Sequence, residues 1–108
     1  KDFRSLVNGQ FEKIFNAFDD IDPDIVEPEL SLGSLILNNN INKTKIILSV
    51  QPSVRQVWLA ASALGKAVHF DWNVDKQLWI DDKGQELELF SHLAELLKET
   101  AEIDVVFS

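Results

Sequence analysis

The spacing of apolar residues changes period twice along this chain, and that constrains its fold more than any single motif. Phe3, Leu6, Val7, Phe11, Ile14, Phe15 and Phe18 recur at helical spacing, with Asn8, Glu12, Asn16 and Asp19 on other faces. The pattern predicts a helix that stops near residues 20–22, because Pro23 disfavours helical geometry in the residue before it and Asp favours turns. Leu89, Phe90, Leu93, Leu96 and Leu97 return to helical spacing near the end, separated by Gly84 from what precedes them. Between the helices lie strand-like segments at 30–37, 44–50, 56–60, 68–72 and 78–80, with 85–87 as a sixth candidate. Turn residues join them: Asn38-Asn39-Asn40 with Asn42, Pro52-Ser53, Gly65-Lys66, Asn73 with Asp75, and Asp82-Lys83-Gly84. Such short connectors imply an antiparallel meander. The expected fold is α+β: a two-layer sandwich whose N- and C-terminal helices pack on one face of a five- to six-stranded antiparallel sheet, the other face being left to water.

One domain spanning 1–108 suits this length. With 45% hydrophobic and 26% charged residues the composition is that of a folded globular chain. A formal net charge of -8 makes nucleic acid and anionic membranes poor partners and favours cations and basic proteins. The absence of cysteine rules out disulfides, thiolate metal sites and a thiol nucleophile within this sequence. No apolar run reaches the roughly 20 residues of a membrane-spanning helix. The first residues, KDFRSLVNGQFEKIF, lack the marks of a secretory or transit peptide, so any organelle address is expected to have been removed.

The charge is unevenly placed. Asp19, Asp20, Asp22, Asp24, Glu27 and Glu29 fall within eleven residues, and no Lys or Arg occurs between Lys13 and Lys43. Local ion pairs cannot quench the cluster, so solvent, distant side chains or a partner must. Asp19 and Asp20 at the end of a helix would also oppose its dipole by about 0.3 to 1 kcal/mol each. Asp20-x-Asp22-x-Asp24 begins like a calcium-binding EF-hand loop, but Ile25 stands at the turn glycine and Ser31 at the bidentate glutamate, which excludes that motif. What remains is a ridge of oxygen donors suited to exposed, weakly held hard cations, or a solvated acidic loop that keeps the chain soluble.

Period two assigns faces to the middle strands. In QVWLA, Val57 and Leu59 point toward the helices, so Gln56, Trp58 and Ala60 point to the open face. By the same alternation Phe70 and Trp72 turn inward, and His69 and Asp71 outward. An exposed Trp near Gln and His is a protein-docking anchor, the alternative being a register slip that buries Trp58. His92 reads as a surface residue of the last helix. His69 and His92 form no ligand spacing, and nucleophile, phosphate-loop and dinucleotide signatures are absent.

QPSVRQVWLA, then HFDW, then LWIDDKGQELELFSHLAELL resembles the frataxin family, most of all its bacterial CyaY branch. The likeness runs from the Phe3 helix to Leu97, and its most specific elements are Gln56-Val57-Trp58-Leu59, Phe70-Asp71, Trp79 and Asp82-Lys83-Gly84. The resemblance implies the α-β sandwich already described and a role in iron-sulfur cluster biogenesis. It implies weak binding of ferrous or ferric iron, with other divalent cations admitted, on Asp19, Asp20, Asp22, Asp24, Glu27 and Glu29. It implies binding to the cysteine desulfurase and scaffold assembly, with Gln51, Gln56, Trp58 and His69 as the partner-binding sheet surface and Trp79 in the core. A monomer that forms iron-dependent oligomers is expected, in a bacterial cytoplasm, or in the mitochondrial matrix for a processed eukaryotic form. The chain is expected to regulate cluster formation or deliver iron rather than to be an enzyme in the ordinary sense. The rival functions are a ferroxidase or iron-storage protein working through the ridge, which lacks a Glu-x-x-His motif, and a purely acidic docking module. Two departures stand out: Phe15 and Asn16 occupy positions where the family often has acids, and the loop from Ala61 to Ala67 lacks the family's prolines. Beyond Ala101 the tail alternates as an extended segment, with Phe107 expected to cap the core.

Overall fold

The computed structural model describes residues 3–107. Helix α1 (Phe3–Asn16) is followed by strands β1 (Val26–Ser31), β2 (Ser34–Asn39), β3 (Thr44–Gln51), β4 (Gln56–Ala61), β5 (Lys66–Asn73) and β6 (Leu78–Asp81), and by helix α2 (Leu89–Ala101). A single 3-10 turn, Ser62–Leu64, interrupts the β4–β5 connection. The six strands lie in sequence order and each pairs antiparallel with its neighbour. Inward residues of the strands, among them Leu35, Leu37, Leu48, Val57, Leu59, Phe70 and Trp79, meet Phe3, Val7, Phe11 and Ile14 of α1 and Leu89, Leu93, Leu96 and Leu97 of α2. The expected two-layer sandwich is therefore present, with the full six strands.

Helix α1 ends four residues earlier than its apolar stripe suggests. Beyond Asn16 the backbone tightens to i→i−3 bonds, Phe18 N donating to Phe15 O and Asp19 N to Asn16 O. The tighter turns bring Phe18 into the core, where its ring meets Phe107 at 6.1 Å, and Lys13 rather than an aspartate occupies the last helical turn. The 30–37 segment is two strands, not one. Leu32 and Gly33 form a two-residue hairpin between Ser31 and Ser34, with Gly33 at φ +83°, a backbone conformation that side chains rarely adopt, and a Cβ there would press on Val50 Cγ1 at 3.2 Å. The alternating leucines hid the turn, and residues 26–29 are strand rather than acidic loop.

Residues 85–87 do not add a strand. Only an isolated bridge between Ile80 and Glu88 forms, while the Asp81 carboxylate accepts the backbone N–H groups of Lys83, Gln85 and Leu87 at 3.1, 3.0 and 2.8 Å. Burial works to raise the Asp81 pKa, but these three donors outweigh it and hold the carboxyl below its usual range. His92, read as a surface residue, is 8% exposed. Its place on α2, between Leu89 and Leu96 on the buried stripe, overrides its polarity, and its ring lies 6.4 Å from Phe70. Trp79 is core as expected, with Phe3 at 6.1 Å and Trp72 at 5.3 Å. After α2 the chain runs without regular structure and buries Val105 and Phe107, so the tail caps the core as anticipated.

Buried Asn39 ties the end of α2 to the β2–β3 turn: its Nδ2 donates to Thr100 O at 2.9 Å and its Oδ1 accepts from Ile41 N and Asn42 N. Asn39→Ala removes the acceptor of Ile41 N and Asn42 N and leaves Thr100 O only the longer bond from Asn42 Nδ2 at 3.3 Å, and is expected to destabilise the fold by about 1–3 kcal/mol in denaturant melts. Gly9 sits mid-helix with nothing within 4 Å of a Cβ built on it. Gly9→Ala is therefore expected to stabilise by roughly 0.5–1 kcal/mol, read as a higher denaturation midpoint at unchanged slope.

Candidate functional site

The six acidic residues are all exposed, and they divide between two places. Asp19 and Asp20 lie in the turns after α1, and Asp22 and Asp24 in the turn that enters β1. Asp22 organises that turn, its Oδ1 accepting from Asp24 N at 2.9 Å and its carbonyl from Ile25 N and Val26 N at 2.9 and 3.2 Å. Glu27 and Glu29 instead stand on β1 and project from the open face of the sheet, where Asn38 Nδ2 donates to Glu29 Oε2 at 2.7 Å. None of the six is in an ion pair among the described residues: Lys98 pairs with Asp104, and the His69–Asp82 and His92–Glu95 contacts, at 3.7 and 3.9 Å, are ion pairs only when the imidazole is protonated. Nor do any three His, Asp or Glu side chains among the described residues gather closely enough to hold a metal ion. The ridge is a string of separate charges rather than a chelate.

Strand β1 is also an edge. Asn40 N donates to Ile25 O, and the alternation of an antiparallel ladder then turns the backbone of Glu27 and Glu29 toward β2 and that of Val26, Pro28 and Leu30 outward. Pro28 has no N–H to offer there, and Val26 N is taken by Asp22 O. Within β1 only Leu30 keeps an outward N–H.

The second cluster gathers on the open face around β4. Trp58 and His69 are directly opposed on β4 and β5 and their rings stack at 4.2 Å and 13°. Trp58 Nε1 donates to Gln56 Oε1 at 2.8 Å, and Gln56 Nε2 donates to both Asp71 Oδ1 at 3.1 Å and Asp82 Oδ2 at 2.9 Å. His69 Nδ1 lies 3.7 Å from that same Asp82 oxygen. Gln51, opposite Gln56 in the β3–β4 pairing, donates to Ser49 Oγ at 3.2 Å. Gln51, Gln56, Trp58 and His69 are thus brought together, and Trp58 is on the open face as period two requires.

Asp71 and Asp82 belong to this network too, although the sequence marks neither as part of the partner-binding surface. Alternation places Asp71 outward, but Asp82 follows the last strand, and only the folded turn carries it to Gln56. Beside the aromatic pair runs a cross-strand row of Ile36, Ile47 and Ala60, with Ile47 38% exposed. Because the indole N–H is already satisfied, Trp58 offers its ring to a partner as apolar surface held in one orientation. The distance from β4 to the Glu27 and Glu29 strand is three strand spacings, roughly 14 Å.

A frataxin-like domain model matches residues 1–103 of the chain. The iron-sulfur cluster assembly protein CyaY of Pseudomonas fluorescens (strain Pf0-1) is 38% identical over 99 residues, covering 92% of this chain and 86% of that protein. The CyaY protein of Tolumonas auensis is 39% identical over 83 residues, 77% of this chain and 74% of its own length. A solved frataxin from Psychromonas ingrahamii superposes with a TM-score of 0.85 at 27% identity, over 98% of this chain and 94% of that one. Fold, family model and relatives agree: the chain belongs to the frataxin family, in its bacterial CyaY branch.

Proposed function

We propose that this chain serves iron-sulfur cluster assembly as a docking regulator: its acidic ridge seats a basic surface of the cysteine desulfurase, and the Trp58 face contacts the desulfurase and scaffold assembly. The observation that carries this reading is the row of six exposed carboxylates without an ion pair among the described residues. Charges held so openly gain little from one another and much from a complementary surface, which speeds encounter and fixes orientation. Strung along a turn and a strand, they suit several basic side chains of a partner better than one tightly bound ion. Ferrous or ferric iron would bind them weakly, through oxygen donors alone, and would compete with the partner for the same groups. The open sheet face supports the second contact, since Trp58 is held rigid by His69 and Gln56 beside an apolar row.

Calorimetry with purified desulfurase tests the reading. Raising the ionic strength from about 0.05 M to about 0.3 M should weaken binding several-fold, because exposed charges are screened over less than 10 Å. The Asp20→Asn/Asp22→Asn double variant should lose about 0.5–2 kcal/mol of affinity. Trp58→Ala should lose about 2 kcal/mol when the scaffold protein is present. Affinity indifferent to salt and to the charge variant would overturn the ridge as a docking edge, and ferrous iron that fails to reduce desulfurase affinity would remove the competition.

A further inference from the structure

On the helix side of the sheet, away from both docking surfaces, lies a titratable group that the proposed function leaves unused. His92 is 8% exposed, and neither Nδ1 nor Nε2 has a hydrogen-bond partner. A neutral imidazole must still carry one N–H, so one donor is sealed without an acceptor. Its ring packs on Phe70 of β5, and its backbone is fixed by His92 N donating to Glu88 O at 2.8 Å. One turn further on, Glu95 is 78% exposed and places Oε1 3.9 Å from Nδ1, just beyond bonding range.

We propose that His92 is a proton-operated latch: neutral, it is sealed between α2 and β5; protonated, it moves outward to Glu95 and loosens α2 from β5 and β6 while the rest of the sheet stays paired. The charged groups acting on it are Glu95 of its own helix, Lys66 at the start of β5 and Asp81 at the end of β6. Burial, the largest influence, pushes the imidazole below its ordinary range; Glu95 opposes this, Lys66 adds to it and Asp81 opposes it. The folded pKa being lowered, the sealed state is fully favoured above the ordinary value of about 6.5. That advantage is lost as pH falls from there through the lowered folded value. The latch does not depend on any docking partner.

Amide hydrogen exchange on the intact chain from pH 7.5 to 5, corrected for intrinsic rates, tests the latch. The opening constant of Leu93, Leu96 and Leu97 should rise below pH 6.5 by up to about tenfold per pH unit, the slope for one proton taken up, while β3 and β4 amides keep their protection. His92→Leu should flatten the response. Glu95→Gln, on an exposed side chain that leaves the fold intact, should shift the opening to lower pH. The latch is overturned by imidazole resonances of His92 titrating near 6.5 without change in α2 protection, or by sheet and helix opening together. An unchanged response in Glu95→Gln overturns it equally.

Discussion

Two short helices can cover one face of a six-stranded sheet, and most features of this molecule follow from that limit. Alternation along each strand sends one set of side chains under α1 and α2, and the other set has no second layer to meet. The covered side collects leucines, phenylalanines and Trp79; the uncovered side carries Glu27, Glu29, Gln51, Gln56, Trp58 and His69. A large aromatic left in that position would be a liability if it were free to move. Here it is pinned by a stacked imidazole and by a glutamine whose amide also bridges two aspartates. Stiffness of this kind lowers the entropy lost on association and suits a surface that meets another protein.

How much of this could be read from the chain varied with the physics of each element. Side-chain period reports which way a residue faces, so the buried stripes and the outward Trp58 were legible from residue type alone. Period is blind where apolar residues continue through a turn: Leu30, Leu32 and Leu35 read as one strand, and only the left-handed backbone of Gly33 makes them two. Helix α1 shows the converse, since Phe18 keeps its place in the core after the helix has ended. The polarity of His92 suggests a surface place, but its site on the α2 stripe decides its burial. Asp82 was not assigned to the glutamine network because no spacing rule predicts where a turn carries a side chain.

The acidic residues illustrate a separate point. Their density in sequence suggests a single feature, yet the fold divides them: four flank the entrance to β1 at one end of the sheet, and two rise from its open face. Charge that is adjacent along the chain is therefore distributed over two sides of one corner. A rounded corner of negative potential acts over a wider range of approach angles than a flat patch would. This breadth sits well with a family whose CyaY members are iron-sulfur cluster assembly proteins.

The outward rim of β1 has a further consequence for how copies of the molecule behave when crowded. A bare strand rim invites a like strand to zip onto it, and a chain with one sheet face uncovered would seem prone to such lengthwise growth. Here a proline supplies no donor, an upstream carbonyl occupies another, and neighbouring glutamates repel their own kind. The β1 rim is thus a poor template for a second copy, although the sheet face beside it stays uncovered.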